Sequence, residues 1–105
     1  MFDLSGTVSI VTGGNGGLGL AMARGLVKCG SAIAIWGRNP EKNASALEEL
    51  RELGADAAAF ECDVTDEEQV SKAFEATIER FQKVDACFAN AGGAGFRGPS
   101  NLVGR

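Results

Sequence analysis

The residues best placed to do chemistry are Thr12-Gly13-Gly14-Asn15-Gly16-Gly17-Leu18-Gly19. They follow the β-branched run Val8-Ser9-Ile10-Val11 and precede the helically spaced Leu18, Ala21, Met22 and Leu26, so they read as a strand-to-helix turn. Backbone N–H groups at a helix start lack intrahelical partners, and glycines let an anion approach them without a Cβ in the way. A nucleotide phosphate is the ligand this turn predicts. Other chemistries are poorly supplied. Histidine and tyrosine are both absent, which removes two common acid–base groups. Cys29, Cys62 and Cys87 are odd in number and show no C-x-x-C spacing, so they read as reduced thiols at the ends of elements, and no zinc site is expected.

The elements that must position this turn alternate short apolar runs with longer amphipathic stretches, the pattern of βαβ units and a parallel sheet. A first strand is expected at residues 7–11 and a helix at 17–29, stopped by Gly30. The nearly continuous apolar run at 31–36 predicts a strand covered on both faces. Asn39-Pro40 then starts a second helix, which Gly54 ends, with Ala44, Leu47, Leu50 and Leu53 as its inner face. A third strand is expected at 57–62. Thr65-Asp66-Glu67-Glu68 reads as a capping box opening a third helix, whose buried stripe is Val70, Ala73, Phe74, Thr77, Ile78 and Phe81. Residues 85–90 make a fourth strand. The fold class is therefore α/β: a three-layer Rossmann-type parallel sheet of order 3-2-1-4, reached by right-handed crossovers and truncated after the fourth strand. Residues 1–91 form the dinucleotide-binding half-domain, and 92–105 a Gly-rich tail that reads as a truncated connection.

Bulk properties bound the partners. The 105 residues make one small domain, with 45% apolar content to fill its core. The net charge is −4 and the ten basic residues are scattered, which argues against a nucleic-acid surface. No apolar run reaches the length of a membrane span, and the first six residues lack the layout of a signal peptide, so a cytoplasmic location is expected.

Two glycine registers overlap in the turn. Gly14, Gly16 and Gly19 fit G-x-G-x-x-G, which calls for an acidic residue about 20 positions on, at the end of the second strand. The chain has Gly37-Arg38-Asn39 there. Thr12, Gly13, Gly17 and Gly19 fit T-G-x-x-x-G-x-G instead, and this spacing resembles the glycine motif of the short-chain dehydrogenase/reductases. Asp63-Val64 after the third strand looks like that family's adenine-pocket Asp, and Asn90-Ala91-Gly92 after the fourth looks like its N-A-G motif. The family's motif has Asn where this chain has Ala89.

The resemblance implies a nicotinamide cofactor and an oxidoreductase acting on a carbonyl or a secondary alcohol. It also implies the site. Gly13, Gly17 and Gly19 would shape the pyrophosphate turn, with the Leu18 backbone facing the cofactor. Asp63 would accept from the adenine amino group while Val64 packs on the ring, and Asn90 and Gly92 would lie near the ribose. Cofactor choice has a physical argument of its own. NAD-binding domains hold the ribose hydroxyls with a carboxylate that repels a 2′-phosphate. Gly37 leaves that position open, and Arg38 follows with a guanidinium suited to phosphate, so NADP is favoured over NAD; Asn15 adds a polar contact in either case.

In the family, catalysis uses a tyrosine in a Y-x-x-x-K motif beyond N-A-G. This chain has no tyrosine, so no catalytic residue is assigned, and it is expected to be the cofactor-binding part of a longer reductase. A fourth strand left with an open edge would invite self-association. A non-catalytic nucleotide-binding or assembly module is the alternative the residues leave open.

Overall fold

The computed structural model describes residues 3–13 and 17–89. Within them the order is β1 (Val8–Thr12), α1 (Gly17–Lys28), β2 (Ala32–Gly37), α2 (Pro40–Glu52), β3 (Ala57–Glu61), α3 (Glu67–Phe81) and β4 (Ala86–Ala89). The four strands form one parallel sheet in the order β3-β2-β1-β4, as expected. Ile10 of β1 lies opposite Ala34 of β2 and Cys87 of β4, and Ile35 opposite Ala59 of β3.

Strand alternation sorts the apolar residues into two cores, one on each face of the sheet. Val11, Ile33 and Ile35 point to the face that also buries Ala23 of α1 and Ala46 and Leu50 of α2. Ile10, Ala34, Trp36 and Cys87 point the other way, onto Ala73 of α3. Because β1 and β2 are covered on both sides, β2 reads as a continuous apolar run and β1 buries even its Ser9 and Thr12. Trp36 buries its ring on the α3 side and donates from Nε1 to Thr77 Oγ1 at 3.0 Å; that hydroxyl donates in turn to the Ala73 carbonyl at 2.7 Å. The indole N–H therefore enters the core with its partner in place.

Helix α3 buries Ala73 and Thr77 as expected, with Val70, Phe74 and Phe81 packed on the same core, whereas α1 and α2 depart from expectation in part. On α2 the buried residues are Asn43, Ala46 and Leu50, whereas Ala44 is exposed and Leu53, now the C-cap, is 46% exposed. Leu50 is buried and Leu47 packs on the same core as expected, so the inner face differs at its edge, where the polar Asn43 and Ala46 stand in for Ala44 and Leu53. On α1, Gly19 and Ala23 are buried while Leu18 is 72% exposed. The cap of α3 is Asp66, whose Oδ1 accepts from the Glu68 and Gln69 N–H groups, and Thr65 takes no part in it. Asn39 caps α2 as expected, accepting from the N–H groups of Glu41 and Lys42 with Pro40 at the first helical position.

Gly30 ends α1 with φ +102, and a Cβ there would stand 2.9 Å from Ser5 Oγ, so conformation and space both require glycine. Asp85 Oδ2 accepts from the Val8 N–H at 2.8 Å and ties the start of β4 to that of β1. Among the described residues no strand pairs with the outer edge of β4. None of their helices is long and apolar enough to cross a membrane.

Candidate functional site

In an open parallel sheet, ligands sit beyond the carboxyl ends of the strands, where the order of connection reverses. Here that point is β1, since the chain passes from β1 to β2 on one side and later returns to pair β4 on the other. The residues singled out by sequence lie along this edge. Gly13 follows β1, Arg38 follows β2, and Asp63 and Val64 come just after β3.

Gly13, Arg38, Asp63 and Val64 line a single cleft of about 890 Å³, with Trp36 and Cys62 at its base. Four residues from three separate loops therefore meet in one place. Gly17, Leu18 and Gly19 do not line that cleft; they form the first turn of α1, next along the same edge. Asn15, Asn90 and Gly92 lie outside the described residues.

Each element presents its residue for a local reason. The Gly13 N–H donates to the Trp36 carbonyl at 2.8 Å, extending the β1–β2 ladder by one bond. Gly13 thus shapes the turn, and its own N–H is already used in the sheet. Gly17 has φ +56, a left-handed backbone that glycine adopts without strain, and space is open where its Cβ would be. The first turn of α1 carries no acidic side chain, whereas those of α2 and α3 contain Glu41, Glu67 and Glu68. The positive end of the α1 dipole is therefore free of carboxylates in its own first turn, which suits a phosphate.

Asp63 is oriented by Thr65, a residue that sequence reading did not select. The Thr65 hydroxyl donates to Asp63 Oδ1 at 2.6 Å and its N–H to the same oxygen at 3.0 Å. Among the described residues Oδ2 accepts no hydrogen bond. The carboxyl is held below the usual carboxylate range, first by the Thr65 hydroxyl, then by its N–H, with a smaller contribution from the Arg38 charge. A lowered folded value means that this contribution to stability is present above the unfolded value and fades as pH falls through the folded one. Asp63 is thus a carboxylate at neutral pH. The Thr65 signal was legible as D-x-T, an Asx-turn pattern that the search for a helix cap absorbed.

Cys62 sits against this carboxylate. Burial, followed by the charges of Asp63 and Asp66, pushes its thiol up to about 11, and burial likewise raises Cys87. Neither is a nucleophile at neutral pH. Cys29 is half-buried, and iodoacetamide at pH 8 should modify it first, leaving Cys62 and Cys87 intact until denaturant is added. Mass mapping of the adducts checks this; native labelling of Cys62 at the rate of Cys29 would contradict it. Among the described residues no group of His, Cys, Asp or Glu could hold a metal ion.

The model of the short chain dehydrogenase family matches residues 7–102, nearly the whole chain. The chain belongs to the short-chain dehydrogenase family. Among the relatives of this short-chain dehydrogenase chain, a sorbose reductase of Candida albicans is 37% identical over 94% of this chain and 35% of its own length. A crystal structure of NAD+-bound xylitol dehydrogenase superposes with a TM-score of 0.82 at 40% identity, covering 85% of this chain and 34% of that one. An actinorhodin polyketide ketoreductase with NADPH gives 0.81 at 36%, covering 88% and 35%. The chain spans about a third of the length of these relatives. Structures with either nicotinamide dinucleotide bound are thus among its neighbours, and the family is one of oxidoreductases.

Proposed function

We propose that this chain is the cofactor-binding portion of an NADP-preferring oxidoreductase acting on a carbonyl or a secondary alcohol, with residues 1–91 as the binding unit and 92–105 as a connection. The observation that carries the reading is the shared cleft of Arg38 and Asp63 behind a β2 that ends in Gly37. A ribose flanked by those two residues meets a cation where NAD-selective domains present a carboxylate. Lys42 adds a second cation to the same lining and Glu41 an anion, so with Arg38 the α2 side of the cleft is net positive. A 2′-phosphate is attracted to that wall. The reductase, dehydrogenase and ketoreductase names of the relatives support the carbonyl/alcohol class.

When bound, the nicotinamide supplies the hydride chemistry. The chain's own residues bind and orient: Arg38 takes the 2′-phosphate, Asp63 the adenine amino group through its free Oδ2, and Val64 the ring face. The first turn of α1, with Gly17, Leu18 and Gly19, takes the pyrophosphate with its backbone N–H groups. Asn15, Asn90 and Gly92 complete the expected set. Having no tyrosine, the chain is assigned no proton-transfer residue of its own.

Asp63→Asn tests this use of the carboxylate. The amide oxygen can keep both Thr65 bonds, which turns its NH2 toward the adenine amine, donor against donor. NADPH and NADH should both lose about tenfold in affinity by calorimetry, with circular dichroism unchanged. Wild-type affinity for both would remove Asp63 from the site.

A further inference from the structure

Asn43 is a polar residue on the inner face of α2, 4% exposed and on the same side as Ala46 and Leu50. Its side-chain Nδ2 donates to the Gly37 carbonyl at 2.9 Å and to the Phe60 carbonyl at 3.4 Å. The Gly37 carbonyl also accepts from the Cys62 N–H at 3.0 Å, and the Asn43 N–H donates to the Asn39 carbonyl at 2.9 Å. One residue therefore reaches the last residue of β2, the carboxyl end of β3 and the backbone of Asn39. Between and just beyond those anchors lie Arg38 and Asp63, the two charged residues of the cleft assigned to the cofactor.

A buried carboxamide is tolerated only when its hydrogen bonds are made, and an aliphatic residue would cover the same sheet ends without that demand. Packing alone does not call for asparagine here. We propose that Asn43 is a positioning residue for cofactor selectivity, holding Gly37 and the end of β3 so that Arg38 and Asp63 face a common ligand. The inference rests on the NADP-preferring reading of the cleft. Asn43 does not line the cleft; it acts through the backbone that carries Arg38. Losing its Nδ2 donor leaves the Gly37 carbonyl bonded to Cys62 and the Asn39 cap on α2 in place, so the fold persists, while Gly37 and the end of β3 lose their side-chain tie to α2. NADPH should suffer more than NADH, because only NADPH carries the phosphate that Arg38 must meet.

The test is a double-mutant cycle on the 105-residue chain with Asn43→Leu, Arg38→Ala and both, measuring NADPH and NADH affinity by calorimetry. Asn43→Leu should lower the NADPH-over-NADH preference about fivefold and change that ratio no further in the Arg38→Ala background. A folded Asn43→Leu chain with the wild-type ratio would overturn the proposal, as would an equal drop in both backgrounds, which is what a merely structural role predicts. If Asn43→Leu lowers the melting temperature below the working range, Asn43→Ser, too short to reach both carbonyls, gives the same readout. A wild-type chain that binds neither coenzyme would overturn the cofactor reading itself and this inference with it. A wild-type preference for NADPH that Asn43 substitutions leave unchanged would overturn the inference alone.

Discussion

Replacing Arg38 with Asp should reverse the coenzyme preference of this chain. NADPH affinity is expected to fall by about a hundredfold, the size of one lost charge-assisted bidentate contact with added like-charge repulsion, while NADH affinity rises. β2 ends at Gly37, whose missing side chain leaves the ribose edge of the cleft open, and Arg38 is the next residue out. A carboxylate at position 38 would face the ribose hydroxyls as an acceptor and the 2′-phosphate as a like charge. Arg38 is exposed, so the substitution should leave the melting temperature nearly unchanged. Calorimetric titration of both coenzymes against both chains checks the prediction, and an unaltered NADPH affinity would move the 2′-phosphate away from Arg38.

Gly17→Val should abolish binding of both coenzymes while leaving the secondary-structure content largely intact. Among the described residues beyond its own turn, nothing lies within 4 Å of the position a Cβ would take, so the effect is conformational and not a clash. With φ at +56, a β-branched residue carries strain on the order of 1–2 kcal/mol, relieved by rewinding the first turn of α1. Rewinding moves the N–H groups that a pyrophosphate would use. Circular dichroism beside a coenzyme titration separates the outcomes: retained helix with lost binding supports the phosphate turn, and global unfolding would mean that the glycine serves packing first.

The sheet was legible because β2, buried on both faces, appears as an unbroken apolar run and β1 as a mostly β-branched one. Its order followed from the alternation of strand and helix with right-handed crossovers. Helix phase was less legible, for a physical reason seen at Asn43. A polar side chain that satisfies its hydrogen bonds inside the core breaks the apolar periodicity, so Leu47 and Leu50 were read correctly while Ala44 and Leu53 took the places of Asn43 and Ala46. Leu18 misled in the opposite sense, since at the first turn of α1 its side chain points to solvent although its spacing matches Met22 and Leu26. The residues of the cleft were found individually through glycine spacing, the missing acid at Gly37 and the motif at Asp63. Their convergence was not readable, because it depends on the register that brings Gly37 beside Glu61. The supporting contacts of Asn43 were invisible for the same reason: they are bonds to the Gly37 and Phe60 carbonyls, made only after the strand ends are aligned, whereas the Thr65 bonds to Asp63 are local and were legible as D-x-T.

In the proposed site, Gly13, Arg38, Asp63 and Val64 form the adenosine-phosphate side of a pocket for NADP. Trp36, the only tryptophan of the chain, is 1% exposed and lines the same cleft, so its fluorescence reports occupancy by energy transfer to a reduced nicotinamide. Titration of the chain with NADPH and with NADH, followed through Trp36 emission, should show saturable quenching by both, with NADPH binding more tightly. Quenching by neither coenzyme, or tighter binding of NADH, would contradict the account.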